Sequence, residues 1–224
     1  MRRFLRENSM SIVFLALFLA ALCGQAIAGH ADFNDTAQSH GDPTISLGRY
    51  LVSSDFGSAV MENWQSEYLQ FTLFILLTIW LLQKGSPESK ELDKAGRESD
   101  QAQKVGPYAQ QNSPRWAKVA GIRRTLYENS LVLVMGTIWV GTWFAQSLTG
   151  VAQYNAEQLD HQQDPLSWSH YITSASFWEN TLQNWQSEFL AVGSMAILAV
   201  YLRQRGSPES KPVGAPHSAT GVEG

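Results

Sequence analysis

Cysteine is almost missing: Cys23 is the only one in 224 residues. That excludes an intrachain disulfide and any cysteine-built zinc cluster, and Cys23, lying inside an apolar run, reads as a small packing residue. The chain also lacks a phosphate-binding loop, a His-Glu-x-x-His pair and any Ser-His-Asp set that can be placed. No enzymatic activity, metal or cofactor is therefore expected. A formal net charge of -4 offers no basic surface to nucleic acid. Positive charge is also missing in places: Gly150 to Gln183 holds no Lys or Arg, and residues 28–67 hold only Arg49.

What the chain does have is four apolar runs, Met10 to Ile27, Tyr68 to Leu82, Leu131 to Leu148 and Phe189 to Leu202. A bilayer core needs roughly 20 helical residues. The first and third runs come close to that unaided. The second and fourth reach it only if their helices begin near Asn63 and Asn184. Basic residues gather on the cytoplasmic side of membrane proteins, and every Lys and Arg except Arg49 falls on one side if the chain crosses four times. The reading is an all-α membrane protein with crossings at about 10–28, 63–82, 130–148 and 184–202 and both termini in the cytoplasm.

Shifting the chain by 121 residues aligns it with itself. MRRFLRENS falls on IRRTLYENS, and the match continues through Gln25 and Gln146, Asn34 and Asn155, and Tyr50 and Tyr171. Two strings recur unchanged: NWQSE at Asn63 and Asn184, and GSPESK at Gly85 and Gly206. Residues 1–90 and 122–211 thus read as a tandem repeat of two helical hairpins in parallel orientation. The same comparison bears on the N-terminus, where Arg2, Arg3 and Arg6, an apolar core and Ala26-Ile27-Ala28 imitate a cleavable secretory signal. Because the equivalent element recurs mid-chain, a retained membrane helix is expected. Leu22 before Cys23 is too large for a lipoprotein site.

Residues 91–121 are polar and broken by Pro107 and Pro114, which reads as a flexible cytoplasmic linker. Arg115 to Tyr127 has the spacing of an amphipathic helix on the inner leaflet. Residues 212–224 are rich in Gly, Pro and Ala and read as a disordered tail. In GSPESK, Gly85 suits a helix C-cap, Ser86 an N-cap and Pro87 the first position of a new helix. The alternative is a docking or phosphorylation site at Ser86 and Ser207.

Inside the membrane, Ala16, Ala20 and Gly24 recur every fourth residue, and Thr137, Gly141 and Ala145 hold the equivalent positions. Small residues at that spacing are expected to form helix-packing seams. Trp64 and Trp185 suit interfacial anchors. Glu67 and Glu188 fall one turn deeper, near Gln25 and Gln146 in depth, so a polar cluster of Gln25, Glu67, Gln146 and Glu188 is expected. Its role is open between a structural network, carboxylates in headgroup water, and a proton- or ion-handling site. His40 and His161, with Asp42 and Asp164, read as loop-turn residues ahead of Pro43 and Pro165, the alternative being a divalent-metal site across the pseudo-two-fold axis, and Ser53 and Ser174 read as helix caps.

The R-R-x-x-L-x-E-N-S start, the Asn-Trp-Gln-Ser-Glu entry to the second helix and the Gly-Ser-Pro-Glu-Ser-Lys exit together resemble a family of small bacterial membrane proteins, domain of unknown function 6766. The resemblance covers nearly the whole chain except the linker and tail. It implies a multi-pass membrane protein and supplies no activity and no site residues. The functional expectation is a structural or regulatory bundle or partner-binding subunit. The alternative is a small proton- or ion-coupled transporter or channel using Glu67 and Glu188. The lipid bilayer is the expected partner, with a homo-oligomer or a protein partner left open.

Overall fold

The computed structural model describes residues 2–224, and among these the only regular secondary structure is helical. The helices are α1 (Arg2–Glu7), α2 (Ser9–His40), α3 (Leu47–Tyr50), α4 (Ser54–Leu77), α5 (Ile122–Glu128), α6 (Ser130–Asp160), α7 (Trp168–Tyr171) and α8 (Ala175–Tyr201). Two 3-10 turns, Gly106–Tyr108 and Arg115–Lys118, lie between α4 and α5.

α2 and α6 are long and apolar enough to cross a membrane. With 32 and 31 residues they reach about 48 and 46 Å, beyond a hydrocarbon core of about 30 Å. α2 exposes Phe14, Leu15, Leu17 and Leu19 around its circumference. A helix apolar on every side and left uncovered matches lipid or other protein rather than water.

α4 and α8 have 24 and 27 residues, which is length enough. Their first halves carry Asp55, Glu62 and Glu67, and Glu179 and Glu188, and neither helix is apolar enough to count as a span on composition. Both start before NWQSE, where the expected caps act. Phe56 N–H donates to Ser53 Oγ at 3.3 Å and Phe177 N–H to Ser174 Oγ at 3.2 Å. The expected second crossing at 63–82 is cut short, because α4 ends at Leu77. Gly96 N–H of the linker takes the Ile79 carbonyl at 2.7 Å, and the helix loses the acceptor that another turn would use.

The chain divides into two compact units. One contains the chain up to Val60 together with Gln146–Trp168. Here the Asn34 side chain holds both backbone groups of Ile45, accepting from its N–H at 2.8 Å and donating to its C=O at 3.0 Å. Asn155 does the same to Leu166, at 2.8 and 2.9 Å. α2 therefore runs on to His40, capped by Gly41 at φ 82°, and the chain returns along it instead of leaving the helix near residue 28. Tyr50 is buried among His30, Phe33 and Phe56. Its hydroxyl lies where a Gly29 Cβ would be, so that position accepts only glycine without a shift. Burial, then the charges of Asp55 and Asp32, push the Tyr50 phenol above its ordinary pKa.

The other unit contains Met61–Ala145 and Ser169–Gly224. Trp143 is its hub, with ring centroids at 5.6 Å from Trp185, 6.0 Å from Trp139 and Trp178, and 6.2 Å from Phe177. Such pairs contribute about 0.5–1.5 kcal/mol each beyond area burial.

The linker and tail, read from composition as flexible and disordered, are each tied down by a lysine. Lys90 Nζ donates to Gly96 O at 2.9 Å and pairs with Glu98 at 3.1 Å. Lys211, 1% exposed, donates to the carbonyls of His217, Ala219 and Pro216 at 2.9, 3.2 and 3.4 Å. The tail then reaches the first GSPESK turn, where Gly221 N–H donates to Ser86 O at 3.0 Å and Thr220 Oγ1 accepts from Gly85 N–H at 2.8 Å. The expected amphipathic helix over 115–127 is also broken. It splits into Arg115–Lys118 and α5 because Gly121 adopts φ 76°.

Ala16, Ala20, Gly24, Thr137 and Gly141 are exposed and Ala145 is half-buried, and nothing approaches Gly24 or Gly141 within 4 Å of an added Cβ. On α6 the buried positions are Thr142, Gln146, Ser147 and Gly150, and Gly136 meets Thr72 at 3.6 Å.

Candidate functional site

The two NWQSE segments meet. They lie in α4 and α8 within one unit, and the contact is made by side chains of the motif itself. Trp185 Nε1 donates to Gln65 Oε1 at 2.8 Å. The Ser66 hydroxyl is placed between Asn63 O at 3.0 Å and Glu188 Oε1 at 3.3 Å. One turn earlier Asn180 Nδ2 donates to Glu62 Oε1 at 3.4 Å. The helical spacing of 62, 65 and 66 puts these groups on one side of α4. Gln65 and Ser66 are 0% and 2% exposed. Buried polar groups need partners; the tryptophan and the glutamate of the other segment supply one each to Gln65 Oε1 and Ser66 Oγ, while Gln65 Nε2 is buried without one.

The same residues of the second segment stand differently. Gln186 and Ser187 are exposed, and Ser187 Oγ returns to Asn184 O at 2.8 Å. Glu67 is exposed, whereas Glu188 is half-buried. The contact is thus one-sided: the Gln-Ser side of α4 faces the Trp-Glu side of α8.

The second unchanged string also meets its copy. In both GSPESK turns the glycine has positive φ, 88° at Gly85 and 84° at Gly206. In both the last serine accepts from a backbone N–H at 2.9 Å, Ser89 from Gln83 and Ser210 from Gln204. Ser86 and Ser207 accept from Glu88 N–H and Glu209 N–H at 3.3 and 3.2 Å. No helix restarts after either turn, and neither glycine caps a helix, because α4 and α8 end earlier. The serine hydroxyl closes a local turn instead. Ser86 is 2% exposed, which places it away from a modifying enzyme. The Glu88 carboxyl lies beside that of Glu209. Burial first, then the Glu209 carboxyl, raises Glu88 above the usual carboxylate range.

Gln25 and Gln146 belong to one unit and Glu67 and Glu188 to the other. Gln25 is half-buried, and Gln146 is 1% exposed with its Oε1 unpartnered. Glu188 bonds to Ser66 rather than to a glutamine. Trp64 is half-buried, and Trp185, expected as an interfacial anchor, directs its indole N–H to Gln65. Sequence reading missed Gln65, Ser66, Glu62, Asn180 and Trp143. The signal for the first two lay in the motif, since its middle residues recur as faithfully as its Trp and Glu. His40 ends α2 with Nδ1 3.0 Å from Thr36 O. Among the described residues no group of three or more His, Cys, Asp and Glu is arranged for a metal ion.

These observations define an all-helical protein with two helices fit to cross a membrane and a polar junction between its repeated motifs. The chain belongs to the family described as domain of unknown function (DUF6766), which it matches over residues 1–222. No curated protein and no solved structure matches it.

Proposed function

We propose that this chain is a multi-pass protein of a bacterial inner membrane, with four crossing helices arranged as two tandem hairpins of the same orientation and both termini in the cytoplasm. Its role is that of a structural or regulatory helical bundle, or a partner-binding subunit, rather than an enzyme. The observation that carries this reading is the junction itself. Side chains of one NWQSE copy are hydrogen-bonded to those of the other, at 2.8 Å for Gln65 and Trp185 and 3.3 Å for Ser66 and Glu188. Those bonds use the polar groups on each other, the arrangement of a lock between helices. Matched Asn34 and Asn155 clamps and matched GSPESK turns support the tandem reading. The uncovered circumference of α2 supports the membrane.

Replacing Glu67 and Glu188 together by Gln tests the role. A static lock keeps a hydrogen-bond acceptor at 188, so the double variant is expected to insert and assemble like the parent. Neither protein should carry a pH-driven proton or cation flux in proteoliposomes. A flux present in the parent and abolished in the double variant would replace this reading with transport through those carboxylates.

A further inference from the structure

Two helices that carry the same motif are joined through different sides of it. In α4 the covered residues are Gln65, Ser66 and Leu69, at 0, 2 and 3% exposure. The equivalent residues of α8, displaced by 121, are Gln186, Ser187 and Leu190. All three are exposed, Leu190 at 66%. The reverse holds for the other side: Glu188 and Val192 of α8 are half-buried, while their equivalents Glu67 and Phe71 of α4 are exposed. The contact inside the chain thus uses Gln65 and Ser66 of one copy with Trp185 and Glu188 of the other, and leaves Gln186, Ser187 and Leu190 of α8 and Glu67 and Phe71 of α4 exposed.

We propose that a second copy of this chain covers them, head to tail, by repeating the internal contact: Ser187 of one chain against Glu67 of the next, flanked by Leu190 and Phe71. The open halves match in chemistry as well as position. A serine hydroxyl faces a carboxylate in the internal contact, and the same pair is what the uncovered sides present. Residues 186, 187 and 190 share one side of a helix, as do 67 and 71. Ser187 Oγ has its local acceptor in Asn184 O, as Ser66 has in Asn63 O, and lacks only the carboxylate that Glu188 offers Ser66, which Glu67 of a neighbouring chain supplies. Since each chain offers one half of either kind on different helices, the contact is heterologous and builds a ring where its rotation closes. The inference rests on the tandem-repeat reading above.

Cross-linking in native membranes tests it with the full-length chain carrying Cys23→Ser. Chains with Glu67→Cys and chains with Ser187→Cys, tagged to differ in size, are co-expressed and treated with a short bifunctional thiosulfonate. The expected product is a reducible dimer containing both tags. Glu67→Cys with Leu198→Cys, on the same side of α8 but about 16 Å further along, should give at most a few per cent of that yield. Ser66→Cys with Glu188→Cys in one chain reports the internal contact as an intrachain bridge. An intrachain bridge without the mixed dimer, or equal dimer yield from the Leu198 pair, overturns the head-to-tail contact and leaves the tandem reading standing. Absence of the intrachain bridge overturns both.

Discussion

Glu88 shows how much a single side chain depends on its neighbour. An isolated glutamate after an apolar helix would be an ordinary surface carboxylate, but here it is half-buried beside Glu209. Its pKa is raised, so the folded state holds the proton more tightly than the unfolded chain does. The stabilisation is complete below the ordinary glutamate range, near about 4.3, and is lost as pH rises through the raised value. Glu88→Gln keeps a donor toward Glu209 at every pH. Its unfolding free energy in detergent should therefore gain on the parent as pH rises from about 4 to 8, by on the order of 1 kcal/mol because Glu209 is exposed. A constant difference across that window would show that the fold does not raise the Glu88 carboxyl. Nothing local in GSPESK reveals this pairing. Identity of the two copies marks the glutamates as equivalent, and only packing brings equivalent residues together.

At the scale of elements, the sequence located helices well and their ends poorly. Apolar runs and serine caps announced α2, α4, α6 and α8, since both signals are short-range. The ends were decided by long-range competition for backbone groups. Ile79 O goes to Gly96 N–H and shortens α4, while Asn34 and Asn155 bind the returning chain and let α2 and α6 extend. Asn34→Ala and Asn155→Ala each leave a backbone N–H and C=O without these partners. Each is expected to destabilise by about 1–3 kcal/mol, read as a lower denaturation midpoint in detergent. Similar losses are expected because the two clamps match within 0.1 Å in each bond. An effect at one site only would argue that the clamps do unequal work in the fold.

For the whole molecule, the distribution of Lys and Arg sets a testable topology. A single new cysteine at Asn155, in the Cys23→Ser chain, should react with a membrane-impermeant maleimide added outside intact cells. One at Ser113, in the linker, should react only after the inner membrane is opened. Labelling of Asn155→Cys only after opening would overturn the four-crossing arrangement. The basic residues carry this prediction because the membrane potential and anionic inner leaflet act on each charge wherever it lies. The candidate site was only half legible. Glu188 and Trp185 stood out as polar and aromatic residues beside an apolar run, but Gln65 and Ser66 look like any helix surface until a second helix covers them.

By itself the sequence determined the helical class, the recurrence of NWQSE and GSPESK, the absence of an intrachain disulfide and the asymmetry of positive charge. All of these are properties of composition and spacing, which no folding step alters. Only the tertiary structure decided which side of each NWQSE helix is covered, where α4 stops, and that linker and tail are held by Lys90 and Lys211. Those outcomes depend on which of several equally suitable hydrogen-bond partners arrives in space. Two identical pentapeptides therefore end in different surroundings, Gln65 sealed and Gln186 exposed.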